Sequence, residues 1–200
     1  MSAKDVGRAK TFVSHTWQAP FGGLVAAVAL ALPDDVFVWC DVFAIMQHDP
    51  PGPEPAELDF AAVVTACSSL LLVGQHVPAV AQMDDDAAFS KRVPDEAKMK
   101  CAFFRVWCIV ELEAALRAAI PVVMLVGSGE AQCDGSTVFR TERSMLPNLL
   151  WMVDVKQAAA SRESDKERIL KDVRANSPGG INGVNSLGAL HSPFCPQLRD

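Results

Sequence analysis

The stretch Arg105-Val106-Trp107-Cys108-Ile109-Val110-Glu111-Leu112-Glu113 carries the clearest chemical content of this chain. On an α-helix, Trp107 and Glu111 stand at i and i+4 and share a face. Cys108, Leu112 and Ala115 share the adjacent face, which the pattern directs toward a core. The spacing therefore presents a carboxylate beside an indole. On an isolated amphipathic helix such a glutamate is a solvated surface charge, so it becomes a candidate for chemistry only if the fold carries it to a ligand site. Cys108 and His15 could form a nucleophile–base pair. No residue that would orient such a base is evident, and Cys108 is expected to face inward. Other signatures are missing. There is no G-x-G-x-x-G, no phosphate-binding G-x-x-x-x-G-K-[ST], no G-x-S-x-G elbow and no H-E-x-x-H helix.

Composition narrows the field. The 200 residues are 50% hydrophobic and 21% charged, which excludes global disorder and points to one domain with a tail. A net charge of −6 and a pI near 5.2 argue against nucleic acid as a partner, because phosphate counterions are displaced by a basic face. The six cysteines at positions 40, 67, 101, 108, 133 and 195 form no C-x-x-C pair, and no His stands at metal-ligand spacing. They read as free thiols in a reducing, cytoplasmic setting, and no metal is expected. The polar opening Met1 to Lys10 shows no secretory signal. Thr11 to Pro33 and Phe60 to Gln82 lack Asp, Glu, Lys and Arg. Ser14-His15-Thr16, Pro20, Gln75-His76 and Pro78 interrupt them, so both read as buried elements rather than membrane spans. His48, among prolines, reads as a loop residue, and Asp84-Asp85-Asp86 as a solvated charge run.

The candidate residues need elements to hold them. Thr11 to Ser14 reads as a strand, and Leu24, Val28 and Leu32 mark a helix that Pro20 could open. Val36 to Phe43 reads as a second strand, covered on both faces. Phe60, Val63, Val64 and Cys67 mark a second helix, and Ser69 to Gly74 a third strand. A third helix runs from about Met99 to Ala119. Pro121 to Gly127 and Leu149 to Val155 read as fourth and fifth strands, and Ser164 to Glu167 as a capping box opening a last helix. Alternation of strands and helices predicts an α/β domain with a mainly parallel five-stranded sheet. The expected arrangement is flavodoxin-like and doubly wound, with strand order 2-1-3-4-5. Residues 1–10 are expected to be flexible, 11–175 to form the domain and 176–200 to be a weakly packed tail. Ligands of such folds sit at the C-terminal strand ends near the topological switch point. The loops after Ser14, Asp41 and Gln75 meet there.

Trp107-Cys108-x-x-Glu111-Leu112 resembles the W-C-x-x-E-L motif of Toll/interleukin-1 receptor (TIR) domains. Phe12-Val13-Ser14 resembles that family's first strand, Trp39-Cys40-Asp41 its second, Ser68 to Val73 its third and Pro121-Val122-Val123 its fourth. The likeness covers about residues 10–175. It departs at His15-Thr16-Trp17-Gln18, where many TIR domains carry an Arg-Gly-x-Asp-like segment, and in a longer loop before the third helix.

The resemblance implies NAD+ as substrate, with no tightly bound cofactor, and cleavage at the nicotinamide–ribose bond with Glu111 as the key catalytic residue. Departure of nicotinamide leaves an oxocarbenium-like ribose that a carboxylate can stabilise. It further implies that Ser14, His15, Trp17, Trp39, Asp41 and Phe43 contact the substrate, while Trp107 and Cys108 seat the helix. Homotypic TIR–TIR assembly in signalling or defence is the implied partnership, and many NAD-cleaving members act only when assembled. Two rivals stand beside this reading: a non-catalytic interaction module, and a nucleotide or deoxyribosyl transferase on the same kind of sheet.

Overall fold

A computed structural model describes residues 7–44, 59–76, 78 and 95–186. His48, Asp84 to Asp86, Cys195 and most of the loop between Gln75 and Asp95 lie outside the described residues. β1 (Thr11–Ser14) is buried along its whole length and pairs in parallel with β2 (Val38–Trp39) on one side and β3 (Ser69–Gln75) on the other. β3 pairs in parallel with β4 (Val122–Ala131), and β4 pairs antiparallel with β5 (Thr137–Thr141). The sheet order is β2-β1-β3-β4-β5, the expected order.

Period-two alternation divides the strand residues between two cores. Val13, Leu71, Val73 and Leu125 face α1 (Phe21–Ala31). Phe12, Leu70, Leu72 and Val126 face the larger core, built with α3 (Phe60–Ala66) and α5 (Val106–Arg117). Two glycines set how closely α1 sits on the sheet. A Cβ at Gly129 would lie 2.6 Å from the Gly23 Cα. Among the described residues no helix is long and apolar enough to cross a membrane.

Several elements depart from the sequence reading. The second strand shrinks to Val38–Trp39 at the sheet edge, because the chain turns helical at α2 (Asp41–Ala44). There the Cys40 carbonyl accepts the amides of Phe43 and Ala44, each at 3.0 Å. The continuous helix expected from Met99 is instead α4 (Asp95–Lys100), a 3-10 turn (Ala102–Phe104) and α5. Arg105 between them is extended and bridges to Ala159, a tertiary pairing that overrides local helix propensity. Leu149 to Val155 is not the fifth strand. Pro147 opens the short helix α6 (Leu146–Trp151), and the run is apolar because it enters the larger core.

The real fifth strand follows the Asp134-Gly135 turn, where Gly135 takes φ 83°. Its only buried residue is Phe139, which gives it little alternation to read. α7 (Glu163–Asn176) starts before the supposed capping box and has no side-chain cap. Glu163 and Asp165 complement its dipole instead.

Both chain ends are better anchored than expected where they are described. The Lys10 amide donates to the Phe37 carbonyl at 2.8 Å, and the Lys10 carbonyl accepts from Ser68 at 2.7 Å. Left-handed Gly179 and Gly180 turn the chain into α8 (Gly180–Asn185), which buries Ile181 and Val184 in the larger core. The Asn185 side chain accepts from the Val155 amide and donates to Asp154. Residues 1–6 and 187–200 lie outside the described residues.

Ile181→Ala should lower the unfolding free energy by about 2–3 kcal/mol. Urea denaturation measures this. An unchanged midpoint would mean that α8 is not part of the cooperative core.

Candidate functional site

β1 ends at Ser14 beside the switch point between β1 and β3, and the next six residues form a loop over the strand ends. Alternation puts Ser14 on the Phe12 side, facing α5. Its hydroxyl donates to Glu111 Oε2 at 2.6 Å. One turn earlier on α5, the Cys108 thiol donates to the His15 carbonyl at 3.1 Å. The Thr16 hydroxyl donates to the Met99 carbonyl at 2.5 Å, and so latches the loop to the end of α4. Cys108 and Glu111 therefore face the end of β1 together. Trp107 turns elsewhere, packing edge-on against Phe60 (centroids 5.0 Å apart) and under the Arg168 guanidinium. Trp107 and Cys108 thus contact different neighbours of the helix, and the indole is not beside the carboxylate.

Glu111 is 7% exposed. Burial raises its carboxyl from the ordinary 4.5 to about 7, with the Ser14 hydrogen bond pulling the other way. The same burial, together with the Glu111 charge, raises the Cys108 thiol well above its ordinary range. That keeps Cys108 protonated, and it bonds the His15 backbone rather than the ring, so no Cys–His nucleophile is assembled.

The second half of the site lies on the α1 side of the sheet. His15 Nε2 pairs with Asp41 Oδ1 at 2.9 Å, and the Trp17 indole N–H donates to Asp41 Oδ2 at 2.5 Å. Asp41 Oδ1 also accepts the Val42 amide at 2.8 Å. Burial alone would lower the His15 pKa. It is outweighed by hydrogen bonding and charge from Asp41 and Cys40, which hold the imidazole at about 10 and therefore cationic. Asp41 is held below the usual carboxylate range, since His15 and Trp17 outweigh its burial. A cavity of about 300 Å³ opens here. Its walls are His15, Thr16, Trp17 and Ala19 of the loop, Phe21 and Leu24 of α1, and Val42 of α2. Trp17 is 55% exposed and Phe43 74% exposed, with Phe43 edge-on to Phe21 at 5.8 Å.

The expected contact residues sort into three groups. His15, Trp17 and Asp41 come together at the cavity, and Phe43 stands on the aromatic surface beside it. The Ser14 hydroxyl donates to Glu111 and positions the carboxylate. Trp39 is a core residue. The Phe12↔Trp39 register puts both rings on the face away from the cavity, stacked 4.7 Å apart, with Phe60 against the indole. Glu111 contacts Ser14, and neither residue is among the cavity walls.

Two features escaped the sequence reading. Thr16 gave no signal beyond its place in the loop. Cys40 reads as a buried hydrophobe, but parallel pairing brings it beside His15 and Asp41. No family model, curated protein or solved structure matches this chain.

The raised Glu111 carboxyl has a signed consequence. The folded state holds this proton more tightly than the unfolded chain, so its contribution favours folding below pH 4.5 and is lost as pH rises through about 7. Glu111→Gln removes that dependence. Its stability advantage over wild type should be near zero at pH 4.5 and reach about 3 kcal/mol at pH 8. Parallel stability curves across that range would show that the carboxyl is not buried. His15 titrates in a higher window, between its ordinary 6.5 and about 10. His15→Gln should therefore flatten the alkaline loss of stability, read from urea midpoints between pH 6.5 and 10.

Proposed function

We propose that this chain is a TIR-like NAD+ glycohydrolase, acting in signalling or defence. Water and NAD+ give nicotinamide and ADP-ribose. The observation that carries the reading is a buried carboxylate at the C-terminal end of β1, held by Ser14 beside the switch point. Ionised Glu111 stabilises positive charge developing on the ribose as neutral nicotinamide departs, and its low-dielectric setting strengthens that effect. The His15 imidazolium supplies a positive group at the cavity wall for phosphate oxygens. Trp17 and Phe43 offer aromatic surfaces on which nicotinamide or adenine can stack.

Substrate must reach Glu111 past the loop His15 to Ala19. Two hydrogen bonds, Thr16 to Met99 and Cys108 to the His15 carbonyl, hold that loop down and must open for turnover. Assembly of several copies is a natural way to drive such an opening. Loosening the latch with Thr16→Val should therefore raise the turnover of unassembled protein.

A second reading has its own observation. α1 exposes Phe21, Val25 and Leu30, spread around its solvent side, and such apolar surface suits a non-catalytic module that associates with its own kind.

Incubation of the purified protein with NAD+, from dilute to concentrated, while following free nicotinamide separates the two. The glycohydrolase reading expects release that Glu111→Gln and Glu111→Ala each reduce by about 100-fold or more. Equal background release by wild type and both variants, at concentrations where the protein associates, would leave only the interaction module.

A further inference from the structure

The end of β1 and the β2–α2 junction bring together three side chains of metal-ligating type. His15 Nε2, Cys40 Sγ and an Asp41 carboxylate oxygen all lie within 4.8 Å of one another. We propose that these three atoms form a binding site for a divalent cation of the zinc class, with the fourth coordination position turned toward the cavity. The site stands on its own geometry and does not depend on NAD+ cleavage.

The spacing fits. His15 Nε2 and Asp41 Oδ1 are 2.9 Å apart, and Cys40 Sγ and Asp41 Oδ1 are 3.9 Å apart. Around tetrahedral zinc, with bonds of about 2.0–2.3 Å, neighbouring N, O and S ligands stand roughly 3.4–3.6 Å apart. These two separations bracket that value, and His15 Nε2 lies within 4.8 Å of Cys40 Sγ, so shifts on the order of 1 Å convert the hydrogen-bonded cluster into a coordination set.

The donor set selects the ion class. A thiolate and an imidazole favour zinc and its soft or borderline neighbours, whereas magnesium and calcium require oxygen. Orientation is already set. Asp41 Oδ2 accepts the Trp17 indole N–H and Oδ1 accepts the Val42 amide, so the carboxylate is held in place before any ion arrives. Cys40 and the His15 ring are buried, which weakens competition from bulk water. Three protein ligands beside a cavity are the pattern of a site that accepts an exogenous fourth ligand, unlike the closed four-ligand structural sites. Binding replaces the proton shared by His15 and Asp41 and the proton on Cys40, and releases both. Among the described residues, Glu111 and Cys108 on the α5 side of β1 are ionisable groups that sense the Asp41 charge.

The test is a titration of chelator-treated protein with Co2+, followed by displacement with Zn2+. It uses the full chain carrying Cys133→Ser and Cys195→Ser, so that neither the exposed thiol nor the one outside the described residues contributes. One equivalent of Co2+ should produce tetrahedral d–d absorption in the visible and a thiolate charge-transfer band in the near ultraviolet. Adding Cys40→Ser should abolish the charge-transfer band and weaken Zn2+ binding by about 100-fold or more. Asp41→Asn, which retains the thiol and a similar shape, should keep the charge-transfer band and lower affinity at least about tenfold. Absence of a charge-transfer band in the parent, or its persistence in Cys40→Ser, overturns the proposal. Unchanged circular dichroism of Asp41→Asn separates lost coordination from lost folding.

Discussion

A carboxylate withheld from water must be held by something, and in this protein the holder is the end of a strand. Glu111 lies inside the larger core against Ser14, the last residue of β1. Charging it there costs free energy that solvent exposure would remove, so the arrangement persists only because neighbouring packing permits no alternative. β1 sits between β2 and β3, every residue of it buried, and cannot shift without breaking two parallel ladders. α5 is pinned in turn by Trp107 against Phe60 and by the bridge at Arg105. The Ser14–Glu111 contact is where these two rigid bodies meet.

The same strand end organises chemistry of opposite sign on its other face. Ser14 turns toward α5 and His15 toward α1, so adjacent residues serve two environments. On one side a neutral hydroxyl meets a poorly solvated acid. On the other an imidazolium meets an ionised aspartate, with an indole completing the carboxylate's hydrogen bonds. The loop that follows links the two through its backbone, since the His15 carbonyl accepts from Cys108 and Thr16 ties back to Met99. A movement of this loop would therefore alter both halves together.

Legibility followed the physics of each element. β3 was readable because a strand buried on both faces has an unbroken apolar centre, and β1 by its β-branched and aromatic Thr11-Phe12-Val13 run. α1 and α3 showed their helical spacing in an uncharged background. The fifth strand was not readable, because β5 lies at the sheet edge with one inward side chain and Leu149 to Val155 offered a stronger apolar run. Hydrophobicity reports burial, and burial in a helix looks the same over seven residues. The second strand failed for a related reason. Val36 to Phe43 is apolar, yet Asp41 begins a helical turn whose purpose appears only when His15 and Trp17 converge on its carboxylate.

By itself the sequence determined the class of fold and the order of the sheet, though not the segment that forms its fifth strand, because these depend on local periodicity and on short connections. Glu111 was singled out by a motif resemblance rather than by periodicity. It also placed His15, Trp17 and Asp41 in loops expected to meet. Only the tertiary structure decided which face each residue takes. Trp39 went to the core and Ser14 to Glu111, while Cys40 was brought beside His15. The reason is the pleat: a parallel register fixes the side of the sheet to which every side chain points, and that register is set by partners distant in the chain.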